Sequence, residues 1–103
     1  MQAGAIKAEV RAALLDLQSA DQQVQVTQSG VTLATQELEQ ARDRFAAGVA
    51  NNVEVIQAQD AVAAATEHYI ESVYAHNISK IALAAAIGIA EDSSAAFIKA
   101  TGQ

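Results

Sequence analysis

Residues 46–54, with the sequence AAGVANNVE, separate two long segments that share a heptad pattern. Gly48 can adopt the left-handed conformation that closes a helix, and either Asn51 or Asn52 can cap the next helix. The run Asn51-Asn52-Val53-Glu54 has the spacing of a capping box, with asparagine in place of serine or threonine. The sequence therefore predicts that the chain reverses direction in a turn at about 48–52.

The segment before the turn places seam residues alternately four and three positions apart. This average spacing of about 3.5 residues is the period of a left-handed coiled coil, and it predicts a first helix over about 3–47. Gly30 could divide this helix and produce a three-helix bundle, but Val24, Thr27 and Val31 keep one register through the glycine. The seam consists of Ile6, Val10, Ala13, Leu17, Ala20, Val24, Thr27, Val31, Ala34, Leu38, Ala41 and Phe45.

A second seam with the same spacing follows the turn and predicts a second helix over about 53–90. Antiparallel helices joined by a short turn pair residues whose numbers have a nearly constant sum, here about 100. Leu38 is then expected beside Val62, and Phe45 beside Val55. The polar seam residues near Thr27 could fix this register. The second seam consists of Val55, Ala58, Val62, Ala65, Tyr69, Ser72, His76, Ser79, Leu83 and Ala86.

The composition agrees with an all-α fold. The chain contains 25 alanines, 11 glutamines and no proline, so strong helix formers dominate. The absence of cysteine excludes disulfides and thiolate metal sites. A net charge of −6 without a basic stripe argues against nucleic acid as a partner. The longest charge-free apolar run, Ile81 to Ala90, is too short to cross a bilayer, and no signal peptide is visible.

Both predicted helices carry apolar residues outside the seam. One partner helix cannot cover all of them, and their burial would recover roughly 25 cal/mol per Å². The sequence therefore predicts that this long antiparallel coiled-coil hairpin self-associates into a helical bundle, as a dimer or a larger oligomer. The additional residues are Leu14, Leu15, Val26 and Leu33 on the first helix and Ile56, Ala63, Ile70, Val73, Ile81 and Ala84 on the second.

The hairpin is expected to occupy residues 1–90, followed by a tail over 91–103. The tail begins with Glu91-Asp92-Ser93-Ser94, which could cap a short helix. Its apolar pair, Phe97 and Ile98, could fold back onto the base of the hairpin.

Residues 42–59, RDRFAAGVANNVEVIQAQ, resemble the periplasmic tip of TolC-type outer-membrane efflux channels. Hairpins of that family carry an arginine, three residues, a glycine and then a valine-rich return into the second helix. Arg44 and Gly48 match this spacing, and Glu54-Val55-Ile56 is similar to the acidic-valine-leucine step that follows. The tip therefore resembles this family in the order and spacing of its motifs.

The second helix extends the resemblance to about residues 5–90. Residues 69–80, YIESVYAHNISK, and residues 84–88, AAAIG, are similar to the returning helix of the family's second hairpin. In the family, three subunits each contribute two such hairpins to a periplasmic α-barrel of twelve helices around a pore. The resemblance implies that this chain is one hairpin of that barrel, in the periplasmic part of an outer-membrane protein, and that it does not conduct alone.

The resemblance also implies partners and site residues. Such channels export drugs, toxins or metabolites when a periplasmic adaptor protein docks on the hairpin tips and an inner-membrane pump supplies the energy. A ring of Glu54 carboxylates at the pore entrance would favour cations or help gating. Turn chemistry and stabilisation of a helix N-terminus remain alternative roles for these residues. The expected adaptor-docking residues are Arg44, Gly48, Val49, Ala50, Asn51, Asn52, Val53 and Val55.

The sequence does not predict an enzyme or a cofactor. It contains no nucleophile-base pair and no glycine-rich phosphate loop, and a narrow alanine seam leaves no room for a substrate pocket. His68 and His76 are two helical turns apart, about 12 Å along the axis, which is too far to share a metal ion.

Two other functions are compatible with the same helices. A free-standing soluble coiled-coil scaffold could assemble into a four-helix bundle and share only the heptad pattern. A protein that lies on a lipid surface is a weaker alternative, because few lysines or arginines line the polar face.

Overall fold

The computed structural model describes the backbone of residues 2–100 and the side-chain environment of residues 4–92. Helix α1 spans Gln2–Ala46 and helix α2 spans Asn52–Ala100, with a five-residue turn between them. No strand occurs within residues 2–100. The predicted all-α fold with two long helices joined in a hairpin is confirmed.

The interior of α1 agrees with the prediction, and the C-terminal end of α2 differs from it. Helix α1 passes through Gly30 without a break, so the three-helix alternative does not form. Helix α2 continues to Ala100 instead of ending near Ala90. The residues after Ala90 include neither glycine nor proline before Gly102, so no strong helix breaker ends α2 near Ala90. The expected contact of Phe97 and Ile98 with the hairpin base lies outside the described side chains.

Residues Gln22–Tyr74 form one compact unit that contains the turn. Its core consists of Leu38 and Ala41 from α1 and Val55 from α2, and Ala58 and Val62 pack against them. These five residues belong to the two predicted seams. Because the contact layers contain alanine and valine, the core is thin, and no side chain among the described residues is completely buried.

The same unit contains a polar contact between the helices. The hydroxyl oxygens of Thr27 and Ser72 lie 2.7 Å apart, and Ser72 is the one buried polar residue among those described. Thr27 Oγ1 also lies 2.9 Å from the Gln23 carbonyl oxygen, and Ser72 Oγ lies 2.7 Å from the Tyr69 carbonyl oxygen. The hydroxyl groups of Thr27 and Ser72 therefore both have hydrogen-bond partners. The contact follows the predicted register, since 27 and 72 sum to 99.

Residues Met1–Asp21 and Ala75–Gln103 form the second compact unit. Here the seam side chains are half-buried, among them Leu17 of α1 and Leu83 of α2. The Nε2 atom of His76 lies 3.7 Å from Asp21 Oδ1, and the His76 side chain is 18% exposed. The seam is therefore retained in this unit, with shallower burial than in the first.

One seam residue is placed differently from the prediction. Phe45 was expected to lie opposite Val55, but it is 49% exposed, whereas every other described seam position is half-buried or buried. Helix α1 ends one residue later, at Ala46, and α2 begins only at Asn52. Val55 is already packed with Leu38 and Ala41, so no further layer is available to cover the phenyl ring.

Part of helix α2 has the length and mean hydropathy of a membrane span. The stretch Asn52–Asp92 is long and apolar enough by length and composition, although no residue in its most apolar window is buried in the structure. The sequence predicts no membrane-spanning helix because its longest charge-free apolar run is too short, and the average hydropathy of the stretch differs from that prediction. His76, Asn77 and Lys80 lie within the stretch, and many alanines and isoleucines outweigh them in an average.

Candidate partner-binding tip

The C-terminus of α1 is closed by a Schellman motif centred on Gly48. The Val49 N–H donates to the Arg44 carbonyl oxygen at 2.9 Å, and the Gly48 N–H donates to the Phe45 carbonyl oxygen at 3.0 Å. Gly48 has φ of 78°, in the left-handed region that L residues other than glycine rarely occupy. The predicted role of Gly48 in reversing the chain agrees with this geometry.

Asn51 caps the N-terminus of α2. Its Oδ1 accepts a hydrogen bond from the Glu54 N–H at 3.2 Å, which is the N-cap to N3 contact of a capping box. Because α2 begins at Asn52, the choice between the two asparagines falls on Asn51. The helix ends on both sides of the turn are thus stabilised by local hydrogen bonds.

An ion pair connects the same two helix ends. Arg44 Nη2 lies 3.5 Å from Glu54 Oε1, and the two side chains are 57% and 41% exposed. Arg44 lies in the last turn of α1 and Glu54 in the first turn of α2, so each charge also interacts favourably with its own helix dipole. An exposed pair of this kind typically contributes about 0.2–1 kcal/mol.

The predicted docking residues divide into exposed and buried ones. Val49 and Val53 are 67% and 54% exposed, and Ala50 is half-buried. Val55 is only 9% exposed and belongs to the core. It therefore supports the tip from within, and its side chain does not lie on the surface that a partner would contact.

Two exposed apolar residues beside the turn were not among the predicted site residues. Phe45 and Ile56 are both about half exposed. The spacing predicts Phe45 in the seam, and it predicts Ile56 among the apolar residues outside the seam. The short distance of both residues from Gly48 in sequence was a signal that the terminal layer is only half covered.

The two histidines have separate partners. His68 Nδ1 lies 3.8 Å from Glu71 Oε2 on the same helix, in the unit that contains the turn. His76 faces Asp21 in the other unit. Neither residue lies at the tip.

Comparison with family models finds a match over residues 3–89 to the family described as Outer membrane efflux protein. The chain belongs to this family. Members of the outer membrane efflux protein family are components of efflux channels and are transport proteins, not enzymes. They are outer-membrane proteins with a periplasmic domain, and they generally form trimers and work with adaptor proteins. Searches of curated proteins and of solved structures found no match.

Proposed function

We propose that this chain is a hairpin of the periplasmic α-barrel of an efflux channel and that its tip docks a periplasmic adaptor in a tripartite export system. The observation that carries the proposal is a turn that is capped by hydrogen bonds at both helix ends and that presents Val49 and Val53 to solvent. Exposed apolar side chains on an ordered backbone are suited to partner binding, because little conformational entropy is lost when the partner binds. Phe45 and Ile56 extend the same apolar surface.

The apolar residues outside the two seams form the lateral surface of the hairpin, and this surface supports the barrel part of the proposal. Large apolar side chains are exposed on both helices, including Leu33 on α1 and Ile70 on α2. In a barrel, each hairpin has a neighbour on both sides, and these side chains would become buried there. In a trimer of the full-length channel, Glu54 would recur three times near the pore entrance, where a carboxylate ring favours cations.

The docking proposal is tested with Val49→Gln and Val53→Gln in the full-length channel. Binding of the purified adaptor that is encoded with the channel is measured by surface plasmon resonance. Burying a valine contributes about 1.5–3 kcal/mol, so losing about half of it at one site should weaken binding about 4- to 13-fold. The matched control is Val26→Gln, because Val26 is 63% exposed but lies far from the turn in sequence.

Adaptor binding is compared only between channel preparations that form the same oligomer. A variant that fails to assemble is thereby distinguished from one that assembles but binds the adaptor weakly. Unchanged affinity in both tip variants would refute docking at this turn. Equal losses in the tip variants and in Val26→Gln would also contradict it.

A further inference from the structure

The capping box at the start of α2 is only half formed. In a complete box, the N-cap side chain accepts from the N3 N–H, and the N3 carboxylate accepts from the N-cap N–H. Asn51 makes the first of these bonds with Glu54. The Glu54 carboxylate instead lies 3.5 Å from Arg44 Nη2, and the Asn51 N–H has no hydrogen-bond partner among the described residues.

Glu54 therefore has two positions available within the tip. In one it pairs with Arg44 across the turn, and in the other it would bond to the Asn51 N–H within its own helix end. Both positions keep the carboxylate in the first turn of α2, where the helix dipole favours a negative charge. An exposed pair such as Arg44–Glu54 contributes only about 0.2–1 kcal/mol and is readily separated.

We infer that Glu54 is an intramolecular competitor for Arg44 and that adaptor docking exchanges the partners of both side chains. Before docking, the Glu54 carboxylate is paired with the Arg44 guanidinium. On docking, Arg44 donates to carboxylate or main-chain carbonyl oxygens of the adaptor, and Glu54 turns back to complete its capping box. The inference rests on the proposed docking function and adds a self-inhibitory contact to the same site.

The geometry also indicates what kind of partner surface fits. A guanidinium has five N–H donors and no acceptor, so the adaptor must present oxygen acceptors at the position of Arg44. The adaptor must offer at least as much stabilisation as the carboxylate that it displaces. A basic or purely apolar adaptor surface offers no acceptor to Arg44, so the Arg44–Glu54 ion pair would remain intact.

Glu54→Gln in the full-length channel tests the competition directly. Glutamine keeps the length of the side chain and can complete a capping box, but it has no charge to hold Arg44. Affinity for the co-encoded adaptor is expected to rise about 1.4- to 5-fold in low salt. The gain should shrink at 1 M salt, where the screening length is about 3 Å. Glu67→Gln is the matched control, because it makes the same charge change at an exposed position outside the tip.

A double substitution shows whether Glu54 acts through Arg44. Arg44→Gln should weaken binding, and Arg44→Gln combined with Glu54→Gln should bind as Arg44→Gln alone does. Circular dichroism of each variant checks that the helices remain intact. If Glu54→Gln leaves affinity unchanged or lowers it while Val49→Gln still weakens binding, the competition is refuted and docking stands. If Val49→Gln and Arg44→Gln both bind normally, the docking assignment itself fails.

Discussion

Two substitutions of Gly48 distinguish its left-handed backbone conformation from the hydrogen bond that its N–H donates. An alanine Cβ at this position would meet no atom within 4 Å, so Gly48→Ala introduces no clash. Its cost is the preference against φ of 78°, about 1–2 kcal/mol for a residue with a Cβ. Both Schellman hydrogen bonds can persist in Gly48→Ala, because its N–H is retained. Gly48→Asn should cost less, because asparagine tolerates the left-handed region better than alanine does.

Gly48→Pro is the contrasting variant. Proline fixes φ near −65° and has no N–H, so the turn loses the bond from Gly48 to the Phe45 carbonyl and must rearrange. We expect a loss of about 3 kcal/mol or more at the turn, with most helical signal retained because the substitution lies between the helices. Binding of the adaptor should remain measurable in Gly48→Ala and be strongly reduced in Gly48→Pro.

Urea unfolding of the full chain, followed by circular dichroism at 222 nm, gives the stability differences, and surface plasmon resonance of the full-length channel gives the docking differences. The reasoning would be refuted if Gly48→Ala were as damaging as Gly48→Pro. That result would show that open space around the glycine, and not its backbone conformation, is what the tip requires.

Three further predictions concern other parts of the hairpin. In a double-mutant cycle, Thr27→Val and Ser72→Ala should each destabilise the chain by about 0.5–1.5 kcal/mol, and the double variant should lose less than the sum because neither hydroxyl is then left without its partner. Additive unfolding free energies would argue against a direct Thr27–Ser72 hydrogen bond. Asn51→Ala should cost about 1 kcal/mol through the lost N-cap while Asn52→Ala costs less, and equal urea midpoints would contradict the capping assignment. Ile70→Gln should reduce self-association of the chain in sedimentation experiments, and the control Gln57→Asn on the same helix should not. A wild-type chain that is monomeric at micromolar concentration would count against packing between hairpins.

The sequence predicted the fold well because its dominant signal is a single repeated spacing. A period of 3.5 residues specifies which side of each helix faces the other, and a short turn then determines the register. The observed contact between Thr27 and Ser72, whose numbers add to 99, agrees with the expected sum of about 100. The far end of α2 was harder to predict, because Glu91-Asp92-Ser93-Ser94 suits a new helix start and a continuing helix almost equally.

At the tip, the backbone was easier to predict than the side chains. Glycine and asparagine have specific turn chemistry, so Gly48 and the asparagine cap could be assigned from residue type alone. The burial of Val55 and the exposure of Phe45 depend on which residue begins α2, a boundary that sequence patterns locate only to within a few positions. The Arg44–Glu54 pair was not predicted, because heptad spacing carries no information on ion pairs between helix ends across a turn.

The doubly capped turn has a kinetic consequence. Fixing the backbone of one residue costs roughly 1–2 kcal/mol in entropy, and the five residues between α1 and α2 incur that cost when the hairpin folds. An incoming protein would therefore meet a surface whose main chain is already in place. The rate of encounter should then depend on diffusion and on charge steering, and slow loop rearrangement should not limit it. A small dependence of the association rate on solvent viscosity would be inconsistent with this picture.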